Sequence, residues 1–274
     1  MILTVRLVIE PGRASTDYWR DLWRYRELLA FLAWRDIAVR YKQTTIGIAW
    51  ALIRPVLTLL VFVAFRRMAG LQQQMVPDAI LVLSAVLPWQ FFSSALSESS
   101  ASLIGNTGLI SKVYFPRLII PLSALATALV DFLVTLLFLA ALMAWHGVAP
   151  DARILAMPLF VVLAALLSLG LGLLMAALTV TYRDFRYVVP FMVQLGLFVS
   201  PIAFESAQVP VRWRTLYALN PLAGIIDGFR WSTLGGQAPL DQRLILSSLL
   251  ITLATLMIGT WYFRRTERGF ADAI

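Results

Sequence analysis

Six long apolar stretches alternate along the chain with short charged segments. They run roughly over Ile46–Phe65, Ala79–Ala101, Leu118–Trp145, Ile154–Val180, Val188–Phe204 and Leu244–Phe263. A helix that crosses a bilayer needs about 20 apolar residues, so the pattern predicts an all-α polytopic membrane protein with six transmembrane helices. The fifth stretch is the shortest and runs into Pro201. The same pattern divides the chain into a terminal region over 1–45, a six-helix transmembrane domain over 46–263 and a short tail over 264–274.

Three other segments carry a pattern of their own. From Thr16 to Trp34, the residues Tyr18, Leu22, Tyr25, Leu29 and Leu32 recur at alternating four- and three-residue spacing. Trp19 and Trp23 lie beside them, Arg20, Asp21, Arg24 and Glu27 fall on the other side, and Ser15-Thr16-Asp17 can cap the start. This is an amphipathic helix, suited to the headgroup plane of a membrane or to packing on a partner. In the fourth span Ser168, Gly172 and Ala176 form a small-residue face that lets another helix approach closely. The segment Glu205–Arg243 is too apolar for a free loop. It is also too interrupted, by Asn220-Pro221, Asp227, Arg230 and Gly235-Gly236, to cross the bilayer. It predicts two short re-entrant helices bordering a pathway, since breaks at membrane depth persist only where protein or a wet cavity surrounds them.

Composition agrees with the membrane reading. Hydrophobic residues make up 60% of the 274 and charged residues 14%, against about 25% charged in an average soluble domain. The net charge of +8 does not imply nucleic acid, because the basic residues sit at the ends of the spans rather than in one stripe. With both termini placed in the cytoplasm, fifteen Lys and Arg fall inside and seven outside, and Arg54 lies within a span. The positive-inside rule therefore favours that orientation, although Arg66-Arg67 just after the first span runs against it. Met1–Ile9, broken by Arg6, is too short and too charged for a signal peptide. The absence of cysteine removes disulfides, thiolate metal sites and redox motifs, and the single histidine, His146, reads as a solvated loop residue.

Candidate chemistry is sparse. Gly105-Asn106-Thr107-Gly108 followed by Lys112 fails the phosphate-loop spacing, which needs glycines five apart and an immediate Lys-Ser/Thr. No serine–histidine pair, metal-ligand cluster or pair of carboxylates in a pocket emerges, so a catalytic or metal site is not expected. Charges within spans are costly and default to functional hypotheses: Arg54 can pair with Asp131, or with the shallower Glu98.

The run Trp34-Arg35-Asp36-Ile37-Ala38-Val39-Arg40-Tyr41-Lys42-Gln43-Thr44-Thr45-Ile46-Gly47-Ile48-Ala49-Trp50 resembles the membrane subunit of ABC type-2 exporters, in the branch that exports polysaccharides such as O-antigen, capsule and teichoic acid. Further matches follow in order. They are Leu87-Pro88-Trp89 with Phe92, Gly105-Asn106, Leu109 to Arg117, Tyr182-Arg183-Asp184, Asn220-Pro221 and Phe229-Arg230, up to the Arg-Arg-Thr-Glu-Arg tail at 264–268.

The resemblance implies a homodimer of six-span subunits in the bacterial inner membrane, paired with two copies of a cytosolic ATPase. ATP and Mg2+ would be bound by that partner, with no cofactor on this chain. It implies that Lys112, Val113, Tyr114, Phe115, Pro116 and Arg117 form the coupling element that docks on the ATPase. Trp34, Arg35, Arg40, Tyr41 and Lys42 would frame the cytosolic mouth, with Tyr182, Arg183 and Asp184 in a cytosolic turn. Asn220 and Pro221 would sit at a periplasmic gate. A conduit for a hydroxyl-rich polymer wants stacking surfaces, which points to Trp50, Trp89, Phe91 and Phe92, unless these are core or lipid-facing rings. Arg54 stands where the family often has Gln or another neutral polar residue. With Arg35, Arg40 and Lys42 it would attract the pyrophosphate of a polyprenyl-linked glycan; the alternative is simple anchoring at the interface. The rival functions are an exporter of drugs or other small hydrophobic substrates, a membrane enzyme acting on polyprenyl-linked sugars, and an ion-coupled carrier.

Overall fold

The structure, a computed structural model, describes residues 18–42, 49–70, 76–236, 238 and 240–270. The Ser15-Thr16-Asp17 cap, the Gln43 to Ile48 part of the long motif and the last four residues lie outside that range. Among the described residues the fold is all helical: α1 Tyr18–Arg24, α2 Arg26–Lys42, α3 Ala49–Met68, α4 Asp78–Gly105, α5 Thr107–Ile110, α6 Ile119–Trp145, α7 Met157–Thr181, α8 Phe185–Val199, α9 Val211–Tyr217, α10 Pro221–Thr233 and α11 Gln242–Thr266.

Among the described residues five helices, not six, are long and apolar enough to cross a membrane: α3, α4, α6, α7 with the short turn of helix before it, and α11. The expected fifth span is α8, whose 15 residues rise only about 22 Å against a hydrocarbon core of about 30 Å. Its end has a local cause. The ring of Pro201 pushes the preceding residue out of helical geometry, and Ser200 is extended, with φ −85° and ψ 151°.

The alternation of the spans puts α1, α2, α5 and the chain's last described residues at one end of the bundle, here the terminal end. The last residues of α3, α6 and α8 lie at the far end. α4 is the central helix, buried along most of its length from Ile80 to Leu103. It packs between α6 and α7, and α11 lies against α7. Small residues set these approaches. A Cβ added at Gly172 would lie 2.6 Å from that of Ser99 on α4, and one at Gly259 would lie 2.0 Å from the Gly170 carbonyl oxygen. The expected face of Ser168, Gly172 and Ala176 is therefore a packing seam, all three buried.

Two apolar clusters result. The larger occupies the middle and far end, on α4, α6, α7 and α10. The smaller, at the terminal end, joins Leu32, Ile110, Phe115, Ile119, Val180, Phe263 and Phe270. Tyr18, Leu22, Tyr25 and Leu29, the predicted apolar stripe, pack against it, whereas Trp19, Trp23, Phe31 and Trp34 remain exposed. The segment Glu205–Arg243 does hold two short helices, but they do not share an environment. α9 buries no residue. α10 is buried from Leu222 to Arg230, because Gly224 and Gly228 seat it against the Leu244 carbonyl and the Phe160 ring.

Candidate functional site

At the terminal end the connection from α4 to α6 stands proud on a fixed base. Ser111, Lys112, Val113 and Tyr114 are exposed, while Phe115 and Pro116 are buried. Only the first part of the expected coupling element can meet another protein; Phe115 is a root in the smaller cluster, correcting its reading as a docking residue. Arg117 is likewise taken up. Its backbone N–H donates to Glu267 Oε1 at 2.8 Å, its guanidinium donates to the Glu267 carbonyl, and Tyr18 Oη donates to the same carboxylate at 3.3 Å. Burial, reinforced by the Glu267 charge, pushes the Tyr18 phenol well above its ordinary range. The Arg264 guanidinium lies over the Tyr18 ring, 4.3 Å from its centre. One carboxylate thus ties the first helix, the exposed loop and the chain after α11.

The expected mouth residues divide. Arg35 donates to Asp36 at 2.7 Å and to Asn106 Oδ1 at 2.9 Å, which binds α2 to the start of the exposed loop. Arg40 lies 2.6 Å from Glu98 Oε1 on α4 and also pairs with Asp131 on α6, whose other oxygen accepts from the Tyr41 hydroxyl. The proposed Arg54–Asp131 pair is therefore replaced by Arg40–Asp131, and Arg40 is no free cation for a phosphate. Trp34 and Lys42 are exposed, as is Arg54, which forms no ion pair among the described residues.

The aromatic candidates divide in the same way. Trp50 is half exposed on α3, but Trp89, Phe91 and Phe92 are only 3 to 5% exposed. Phe91, Phe132 and Phe229 form a chain of ring contacts at 5.3 and 6.0 Å through the core. The Trp89 indole fills the notch left by Gly196, where a Cβ would lie 2.7 Å from it, and so seats α8. These three rings cannot meet a passing polymer in this conformation. Exposed rings on the membrane helices include Tyr187, Phe191 and Phe198 of α8 and Trp50 and Phe65 of α3, besides Trp145 of α6 and Trp261 of α11.

Tyr182, Arg183 and Asp184 are exposed between α7 and α8. Asn220 caps α10 by accepting from the Leu222 N–H at 3.1 Å, and Pro221 takes the first helical position, where its missing N–H costs nothing. His146 is exposed at the end of α6, with Nδ1 2.9 Å from the Leu142 carbonyl oxygen. Among the described residues no group of three His, Cys, Asp or Glu side chains could hold a metal ion.

The family model of the ABC-2 type transporter matches residues 27–234. The chain belongs to that family. Its similar proteins include an O-antigen export system permease protein of Myxococcus xanthus, 25% identical over 258 residues, 93% of this chain and 98% of the relative. An O-antigen export permease of Klebsiella pneumoniae is 24% identical over 249 residues, 90% and 95% of the two chains. A polysialic acid transport protein of Escherichia coli is 25% identical over 244 residues, 86% and 92%. In this ABC-2 permease, the residues that pattern reading missed are Glu267, Glu98 as the partner of Arg40, and the buried pair Arg66 and Arg230. A signal for the last two existed. Asp78 follows Arg66 by 12 positions, and Asp227 precedes Arg230 by one helical turn.

Proposed function

We propose that two copies of this chain form the conduit of an ATP-driven exporter of lipid-linked polysaccharide, with both termini in the cytoplasm of a bacterial cell. ATP and Mg2+ belong to a separate cytosolic ATPase, two copies per exporter, and this chain performs no chemistry of its own. The observation that carries the reading is the loop Ser111–Tyr114, exposed over the buried Phe115 and Pro116, with Phe115 in the same apolar cluster as Leu32 of α2, Val180 of α7 and Phe263 of α11. A push on Tyr114 is delivered directly to the spans, which is what a subunit without its own nucleotide site requires.

The substrate class rests on the named relatives and on surface chemistry. Among the described residues Trp50, Phe191 and Phe198 stand exposed on α3 and α8, and a second copy packed over these helices would enclose them. Stacking on sugar C–H faces makes little directional demand and suits sliding. The exposed Trp19, Trp23 and Trp34 beside Arg20 and Arg24 support α1 and α2 as a helix pair in the headgroup plane. Arg54 with Lys42 supplies the free positive charge for a pyrophosphate-linked lipid. Of the seven Lys and Arg counted as outside, Arg66 and Arg230 are buried, so the loops themselves are more asymmetric than the count, in favour of the assigned orientation. In this reading α8 completes the sixth crossing together with the chain after Pro201, and α9 and α10 form the re-entrant exit.

The test is transport in vesicles holding the permease and its ATPase, read as ATP-dependent exposure of a labelled lipid-linked glycan. Tyr114→Ala with Lys112→Glu is expected to abolish transport while the permease stays folded. Undiminished transport in that variant overturns the docking loop, and ATP-driven movement of a small hydrophobic dye but no glycan overturns the substrate class.

A further inference from the structure

The backbone after α8 is buried without being regular. Ser200 to Ala203, with Glu205 and Ser206, are all hidden although none is helical up to Glu205. Buried carbonyls need donors, and Pro201 offers no N–H to build a turn with. Side chains from two other helices supply them. Arg230 Nη2, on α10, donates to the Pro201 oxygen at 3.0 Å and to that of Ile202 at 3.4 Å. Arg66 Nη1, at the end of α3, donates to the Ala203 oxygen at 3.0 Å while its Nε holds Asp78 at 3.1 Å. Asn220 Nδ2 reaches the Val199 oxygen and Ser200 Oγ, each at 3.5 Å. Five consecutive residues are fastened in this way, and the two guanidinium groups are 0% and 1% exposed.

One of these cations is incompletely satisfied. Arg230 Nε and Nη1 donate to no acceptor among the described residues, and Nη1 stops 3.9 Å from Asp227 Oδ1, too far for a hydrogen bond. A buried charge with unmet donors is a costly way to end a helix. The arrangement makes sense if Arg230 has a second set of partners in a second state, and Asp227, one turn away, is within reach of a modest rotation. The bodies on either side differ in the same sense. α10 is locked by Gly224 and Gly228, whereas α8 buries only Val189 and α9 nothing.

We propose that Arg230 is a positioning residue that exchanges between the Pro201–Ile202 carbonyls and the Asp227 carboxylate, and that with Arg66 it fastens the far end of α8 against the fixed α10 until the conduit opens. When Arg230 turns to Asp227, the Pro201 carbonyl loses its donor and the α8–α9 segment is free to move outward. The purpose of the device rests on the transport reading. Its existence does not, since the measurement below needs neither glycan nor nucleotide.

The cysteine-free sequence makes the test clean. Single cysteines are introduced at Ala203, at the exposed Leu216 and at the core position Ala128, and the rate of N-ethylmaleimide labelling is followed in membranes that hold the full chain. In the Ala203→Cys background, Arg230→Met is expected to raise the labelling rate at least tenfold, with Leu216→Cys and Ala128→Cys unchanged. Asp227→Asn, which removes the charge of the competing partner, is expected to slow labelling at Ala203→Cys severalfold. An unchanged rate in Arg230→Met, or an equal rise at Ala128→Cys, reduces Arg230 to ordinary packing and overturns the proposal. If Arg230→Met does not accumulate, the Asp227→Asn rate decides alone: a value at or above the parent's rules out the exchange.

Discussion

Tyr114 and Phe115 are adjacent aromatic residues with opposite surroundings, one 64% exposed and the other 4%. Truncating them separates docking from folding. Phe115→Ala is expected to destabilise the subunit by about 3 kcal/mol, within the range for emptying a buried phenyl site, and to lower the midpoint of thermal unfolding in detergent. Tyr114→Ala is expected to leave that midpoint unchanged and to lower ATP-coupled transport. Arg40 gives a second prediction at this scale. Arg40→Met leaves Glu98 and Asp131 facing each other without their common cation. It should therefore unfold at a lower temperature than the triple variant with Glu98→Gln and Asp131→Asn. A triple variant no more stable than the single one would show that the three charges are not coupled. The two cases also mark what the residue pattern could tell. That a charge in an apolar span needs a partner was legible at Asp131. Which arginine supplies it was not, because the bond spans 91 positions and depends on how α2 lies against α6. The aromatic motif Leu87-Pro88-Trp89 was equally visible, but only the Gly196 notch shows that Trp89 points inward.

Helices are fixed here by what they lack as much as by what they carry. Gly170 and Gly259 bring α7 and α11 to backbone contact, and Gly259→Ala would force a methyl group to within 2.0 Å of a carbonyl oxygen. The expected cost is about 1–3 kcal/mol of overpacking, read as a lowered unfolding midpoint. The same change at Gly108, where nothing lies within 4 Å, is expected to have no such effect. The seam of Ser168, Gly172 and Ala176 was readable from four-residue spacing. The Gly170–Gly259 contact was not, because Gly259 stands as the one glycine of α11, Gly170 lies outside the four-residue spacing of the seam, and only packing pairs them. The early end of α8 was legible in Pro201. The unequal fates of α9 and α10 were not, since both are short and mixed in polarity, and only the glycines at 224 and 228 mark the one that is buried.

For the assembled exporter, the free surfaces point to the subunit's partners. Arg54→Gln should leave assembly with the ATPase intact and weaken transport of a pyrophosphate-linked glycan, with the loss seen as a raised substrate requirement rather than a slower maximal rate. An unaltered substrate requirement would return Arg54 to simple anchoring. The smaller apolar cluster bears on the molecule's making as well as its working. Tyr18 and Glu267, which share a hydrogen bond, are separated by 249 positions. At about 5–20 residues per second a ribosome needs roughly 12 to 50 seconds to travel between them. For that time the stripe of Tyr18, Leu22, Tyr25 and Leu29 lacks its cover of Phe263 and Phe270. A chain whose synthesis stalls before Glu267 cannot close this clasp between its beginning and its end. Such a chain keeps part of its apolar stripe uncovered, so the last residues to be made finish the packing of the first helix.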